Sequence, residues 1–310
     1  MMIPVEQQPH LIRIGMIGLD TSHVTAFAKL LHDTDGKYYI PGARIVAAFP
    51  GGSPDFERSA SRLEGYTNEL REQYGVKLVG SPEAVAEQCD AILLESVDGR
   101  VHLEQFRRIA PFDKPVFIDK PFTTDYAEAV ELVRLAERES IPVMSCSALR
   151  YAEGLTRVLE DTRTAGSVIG AEFYGPLEIV PTQPGLFWYG IHTVEMLYRS
   201  MGRGCVEVRT TTHADHDLVV GQWADGRIGV IRGNRRGNKQ FGGIVHREND
   251  SYFVDVYANG KPYYASLLEQ IMQLFRSGSS TIDLSETLEI IRFIEAANAS
   301  RDSGGAKVLL

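Results

Sequence analysis

The sequence is short of the features that carry a chain into a membrane or onto nucleic acid. No apolar run approaches the roughly 20 residues that span a bilayer, and the opening MMIPVEQQPH has neither the basic start nor the long apolar core of a secretory signal. Membrane insertion and export are therefore not expected, and the expected location is the cytoplasm. Basic residues are in deficit, 32 Lys and Arg against 41 Asp and Glu, for a formal net charge of -9. Without a basic excess there is little counterion release to gain from a phosphate backbone or an anionic bilayer, which leaves a small molecule as the expected partner. Cysteine is scarce too. Cys89, Cys146 and Cys205 are odd in number and widely spaced, and form neither a CxxC pair nor a disulfide ladder. They are predicted to be reduced, buried thiols.

What is present is ordinary globular material in the quantity of about two domains: 310 residues, 44% hydrophobic and 24% charged. Short apolar runs at Leu11–Ile17, Ala43–Phe49, Val76–Val79, Ala91–Leu94, Pro115–Ile118 and Pro142–Ser145 read as strands buried on both faces. Helical signals alternate with them. Ser81-Pro82-Glu83 is a helix start, and the run from Thr123 to Ser140 gathers Ala127, Val130, Leu132, Val133 and Ala136 near one face. The alternation predicts a doubly wound parallel sheet with right-handed crossovers over residues 1–149. After Tyr151 the pattern changes to β-branched and aromatic runs punctuated by Asp-Gly and Asn-Gly, the signal for hairpins. The second part, 150–310, is predicted to be an α/β domain with a large, mainly antiparallel sheet and a closing helix from Leu284 to about Ser300.

The first strand runs into IGMIGLDTSH and then a helix whose Val24, Phe27, Ala28 and Leu31 share a face. A turn of that kind aims helix N–H groups at whatever lies above the sheet and favours a phosphate. Of the three glycines of a dinucleotide fingerprint only Gly18 is present, with Asp20 and His23 in the other two places. Asp20 is expected to cap the helix, leaving Thr21, Ser22 and the backbone to face phosphates. His23 is read as packed or solvated. The second strand ends on Pro50, Gly51, Gly52 and Ser53 instead of the acidic residue that binds a ribose, so NAD and NADP are not distinguished. Gly51 and Ser53 offer donors there, with Arg58 and Arg62 nearby. The only cluster with a hint of metal spacing, HADHD, puts His213 and Asp217 on one face of a strand and His216 on the other, so no metal is expected and a solvated hairpin end is. The basic stretch RGNRRGNKQ is read as a solvated loop.

The fifth strand ends on Asp119, Lys120 and Pro121, at the edge of the sheet where ligands bind. Here the chain resembles the Gfo/Idh/MocA family of dinucleotide-dependent oxidoreductases, whose Glu-Lys-Pro signature stands as Asp-Lys-Pro. Glu95 to Asp98 followed by His102 is similar to its Thr-Pro-Asn segment and downstream histidine, SALRYA to its Asn-x-Arg segment with Arg150 kept, and the end of the chain to its closing helix and small strand.

The resemblance implies an N-terminal Rossmann-type domain, a C-terminal domain that binds substrate and forms a homo-oligomer, dimer or tetramer, and NAD or NADP as cofactor. Glu95, His102, Asp119 and Pro121 would join Gly18, Asp20, Thr21, Ser22, His23, Gly51 and Ser53 around it. It also implies a sugar, polyol or related hydroxy compound as substrate. Lys120 would hold the reacting oxygen and His192, in FWYGIHTVEML, would take its proton. Trp188 stands where the family has a catalytic aspartate, as a stacking surface or as packing between domains. Tyr189 or Glu195 is expected to orient His192 in its stead, and Arg150 to support the site. The altered segment keeps two other functions in view: a redox-neutral lyase, epimerase or glycosidase that uses bound NAD transiently, and a non-catalytic ligand-binding protein.

Overall fold

The computed structural model describes residues 11–160, 166–258 and 260–310. The opening ten residues, read above for a signal, and Asn259 of the Asn-Gly turn lie outside them. Six parallel strands form the first sheet: β1 (Ile12–Ile17), β2 (Ala43–Phe49), β3 (Lys77–Leu78), β4 (Ala91–Leu94), β5 (Val116–Ile118) and β6 (Val143–Ser145), in the order β3-β2-β1-β4-β5-β6. Each predicted run is a strand, β2 and β4 with the expected bounds and the other four trimmed by one residue or two. β4 shows why the runs are unbroken: all four of its residues are fully buried, because helices cover both faces of the sheet. The order reverses between β1 and β4, and the carboxyl ends on either side of such a reversal are where doubly wound sheets bind ligands.

The crossovers are α1 (His23–His32), α2 (Glu57–Tyr74), α3 (Pro82–Ala86), α4 (His102–Ile109) and α5 (Tyr126–Arg138). α1 buries Val24, Phe27, Ala28 and Leu31 as its spacing predicts. α3 starts as expected, with the Ser81 hydroxyl accepting the Ala84 N–H at 3.2 Å. The buried face of α5 is Ala129, Leu132, Val133 and Ala136, so it is rotated from the expected one, and Ala127 is exposed.

Beyond α6 (Glu153–Glu160), the second sheet comprises β7 (Val168–Pro176), β8 (Cys205–His213), β9 (His216–Trp223), β10 (Ile228–Asn234), β11 (Gly242–Arg247), β12 (Ser251–Asp255) and β13 (Val308–Leu309). Its order is β12-β11-β7-β10-β9-β8-β13, and every pairing is antiparallel except β7 with β10. The Asp225-Gly226 turn joins β9 to β10, with Gly226 at φ 90°, a conformation that glycine adopts without strain. α7 (Gly190–Met201) and α9 (Leu284–Asp302) pack on this sheet. α8 (Tyr263–Ser277) does not stay with it. Leu267, Leu268, Ile271 and Met272 bury themselves with Ile14, Met16 and Phe27 against the first sheet. The three cysteines are free and buried, as expected.

One histidine of this scaffold makes stability depend on pH. Nε2 of His32, the last residue of α1, accepts the backbone N–H of Ile45 at 3.1 Å and so must be neutral. Burial, aided by the charge of Arg44, lowers its pKa from 6.5 to about 4. Between those values the unfolded chain takes up the proton and the folded chain does not, so stability present above about 6.5 is lost as pH falls towards 4. Urea unfolding across that window is expected to show this slope. It should be shallower in His32→Gln, which keeps an acceptor but does not titrate, and an unchanged slope would remove His32 as its cause.

Candidate functional site

The carboxyl ends of β1, β4 and β5 converge with the start of α7. The turn after β1 is fixed first. Gly18 has φ 83° and lies against the backbone of Ser96, where any Cβ would collide, so only glycine fits. The N–H groups of Gly18 and Leu19 bond to the carbonyls of Phe49 and Pro50, tying the turn to the end of β2.

Asp20 does not cap α1, contrary to expectation. Its Oδ1 accepts the Val97 N–H at 2.9 Å and its Oδ2 accepts the Ser59 hydroxyl at 2.5 Å. The Ser59 oxygen in turn accepts the Ser53 N–H at 2.8 Å. The fully buried carboxylate thus joins the loop after β4 to the start of α2. A cap would have left the buried Val97 N–H without an acceptor, which costs more than an uncapped helix end in water. Burial raises the Asp20 pKa, and the Ser59 and Val97 bonds partly offset the rise. Ser22 stands at the N-cap of α1 with no side-chain cap. An uncapped helix N-terminus at the switch point of the sheet suits a pyrophosphate, and Thr21, Ser22 and the first turn of α1 are the groups that would hold it. At the end of β2, Gly51 has φ 64° and Ser53 is buried. Arg58 is paired with Glu178 at 2.6 Å, so it is committed to the second half of the chain.

His23, read as packed or solvated, belongs to a buried polar cluster. Its Nδ1 lies 3.1 Å from Asp119 Oδ1 and 3.4 Å from Glu95 Oε2. Asp119 Oδ1 also accepts the Lys120 N–H at 2.7 Å. Burial works against the imidazolium, yet the two carboxylates outweigh it and raise His23 to about 9. Burial also raises Glu95, whereas the His23 and Lys120 charges hold Asp119 below the usual carboxylate range against it. Phe27 and Tyr264 flank the His23 ring, the latter from α8 at 4.8 Å. His102, expected at the cofactor, has no ring nitrogen to spare. Nδ1 lies 3.1 Å from the Phe122 carbonyl and Nε2 2.7 Å from that of Ser96, so the ring braces the loops after β4 and β5 from below.

His192 is partly buried in the first turn of α7. Neither Tyr189 nor Glu195 orients it by a hydrogen bond. Ser147 does, with Oγ 2.6 Å from His192 Nδ1, while Tyr189 offers only a ring edge at 5.7 Å. Glu195 is bound instead to Arg150 at 3.2 Å, and Arg150 also grips Glu286. Arg150 therefore ties α7 to α9 from inside, its guanidinium buried between them. Burial, then the charges of Lys120 and His23, depress His192 well below the usual histidine value, so it is neutral at pH 7. Trp188 packs edge-on against Phe56 at 4.9 Å and beside Val97, between the two halves of the chain, and its ring lies 5.4 Å from Lys120 Nζ.

Two contributors escaped the sequence reading. Ser147 was within reach of it, as a hydroxyl just past β6 beside the Arg150 segment. Phe241, whose ring lies 5.4 Å from that of His192, comes from β11's approach, and no local pattern marks it. A cleft of about 630 Å³ beside His192 is lined by Tyr189, Phe241, Arg58, Glu178, Arg235 and Arg236. The hairpin end at HADHD is not merely solvated: Asp217 is fully buried and held by Arg235 at 2.8 Å and Arg301 at 3.3 Å. That pairing pins the basic loop at Arg235, whereas Arg236 stays exposed.

Residues 12–146 match the family model GFO_IDH_MocA, described as oxidoreductase family, NAD-binding Rossmann fold. No curated protein matches the chain. Among solved structures it is similar to one titled "probable dehydrogenase" from Thermotoga maritima, with TM-score 0.79, 19% identity and coverage of 96% and 98% of the two chains. It is also similar to myo-inositol 2-dehydrogenase from Lactobacillus plantarum, with TM-score 0.79, 15% identity and coverage of 96% and 99%. A third is myo-inositol dehydrogenase from Lactobacillus casei in complex with NAD(H) and myo-inositol, with TM-score 0.74, 15% identity and 97% of each chain covered. At these identities the likeness is one of fold.

The Asp20 tie makes a measurable demand. Asp20→Ala leaves the buried Val97 N–H without its acceptor, and chemical denaturation is expected to show a loss of about 1–3 kcal/mol. A variant as stable as the parent would show that the bond is dispensable.

Proposed function

Since residues 12–146 form an NAD-binding Rossmann domain of the Gfo/Idh/MocA oxidoreductase family, we propose that the chain oxidises a CH–OH group of a polyol, sugar or related hydroxy compound at the crevice between Lys120 and His192. The observation that carries the reading is the Ser147-held imidazole of His192, kept neutral by burial and then by the charge of Lys120. The division near Leu149 then separates a cofactor-binding part from a substrate-binding part. The bound nicotinamide supplies the hydride acceptor.

The chain's own groups supply the rest. With its proton on Nδ1, His192 donates to Ser147 Oγ, which also accepts the Leu149 N–H at 3.2 Å. That arrangement leaves Nε2 with a free lone pair for the hydroxyl proton. The Lys120 ammonium stabilises the alkoxide that develops as the proton leaves. Trp188, buried between the two halves, backs Lys120, and Tyr189 and Phe241 supply the apolar wall of the cleft. Thr21, Ser22, Gly51 and Pro121 would hold the cofactor at the sheet edge, and the Glu195–Arg150 pair secures α7. The inositol dehydrogenases among the structural neighbours support the choice of a polyol.

Purified protein is expected to bind NAD or NADP in calorimetry and to reduce it with a cyclic polyol from a panel. His192→Ala should then lower kcat by about 10²–10⁴-fold while cofactor affinity stays near that of the parent. Absence of cofactor binding, or full turnover in His192→Ala, would overturn the reading. Ser147→Ala is expected to reduce kcat more than it raises KM, because it frees the ring without removing it. Equal effects on both would deny Ser147 its positioning role.

A further inference from the structure

The cluster at the third glycine position has a composition and spacing that an ion pair alone does not explain. Glu95 and Asp119 directly follow the neighbouring strands β4 and β5 and His23 opens α1, the helix after β1, and one donor atom of each lies within 4.8 Å of the others. All three are buried, with Glu95 and Asp119 completely so. Both oxygens of Glu95, Oδ2 of Asp119 and Nδ1 of His23 lack a hydrogen-bond partner. The close approaches at 3.1 Å and 3.4 Å do not have hydrogen-bond geometry. A buried carboxylate with no donor on either oxygen is costly, and the usual remedies are a paired donor or a metal ion.

The distances suit the second remedy. Ligand atoms bonded to one first-row cation at about 2.0–2.2 Å, at octahedral or tetrahedral angles, lie roughly 3.0–3.5 Å apart. The His23 Nδ1 separations from Asp119 and Glu95 fall inside that span. Asp119 is held as a metal-ligating carboxylate commonly is, by the Lys120 N–H bond to Oδ1.

We propose that His23, Glu95 and Asp119 bind one divalent first-row cation, with zinc and manganese as the candidates that a one-nitrogen, two-carboxylate set accepts. This reverses the expectation, drawn from the sequence, that the chain has no metal site. Three protein ligands leave a coordination position open, as in sites where the ion meets a ligand. The rival occupant of the space is a proton, with imidazolium and the Lys120 ammonium balancing the two carboxylates. The site lies at the head of α1, beside the groups proposed to hold the cofactor, and binding of the ion is read in the absence of cofactor.

The test uses the protein without cofactor. After removal of metal by a chelator and dialysis, calorimetry with zinc chloride and with manganese chloride is expected to show about one equivalent bound per chain for at least one of them. Glu95→Gln and His23→Gln should each weaken that binding about tenfold or more. Binding below half an equivalent for both ions, or binding unchanged in both variants, would overturn the proposal. Because a core variant can fail to fold, anomalous diffraction from crystals of the parent soaked in each metal gives a second readout. A peak among His23, Glu95 and Asp119 supports the site. A peak only elsewhere, or none, refutes it and leaves the proton as the occupant. None of these outcomes bears on turnover by Lys120 and His192.

Discussion

Everything at the mouth of the sheet depends on how one buried carboxylate is satisfied. Asp20 takes the Val97 N–H and the Ser59 hydroxyl, and through Ser59 it reaches the Ser53 N–H. Three loops from three strands are thereby held to one another by a single side chain with no exposure to solvent. A glycine at that position gives close backbone approach but no such brace. The exchange accounts for the short turn's order, and it turns the negative charge away from the start of α1, where an anionic ligand would otherwise meet repulsion.

Much of this architecture was legible in the sequence, for a physical reason. Strands buried on both faces must be continuously apolar, so the six runs of the first sheet announced themselves, and Ser81-Pro82 carried its own start signal. The hairpin grammar of the second half was equally local. The parallel pairing of β7 with β10 was not, because those strands are separated by α7 and the β8–β9 hairpin and the register is a matter of tertiary packing. The rotation of α5's buried face was also lost, since alanine reads as apolar at Ala127 and Ala129 alike and only the neighbours decide between them.

In the site, residue types were legible and partners were not. Lys120 and His192 stood out by position relative to strand and helix. Asp20 was assigned to a cap because propensity speaks only of the nearest helix, and it knew nothing of Val97, 77 residues away. Glu195 was matched to His192 by helical spacing, but a buried arginine competes for the same carboxylate and wins by charge. Nothing local marks His23, because its two carboxylate neighbours sit just past the ends of other strands. Side chains that gather from several strand ends leave no periodic trace.

The return of α8 to the first sheet has a consequence for how the chain must fold. The sheets divide the molecule into two, yet the apolar face formed by Ile14, Met16 and Phe27 is closed by residues more than two hundred positions later. A nascent first half would emerge with that face bare, and Tyr264, whose ring abuts His23, would still be unmade. The first β–α unit therefore waits on a helix more than two hundred residues downstream, and the polar cluster at the head of α1 is walled by Tyr264 only once α8 has been made.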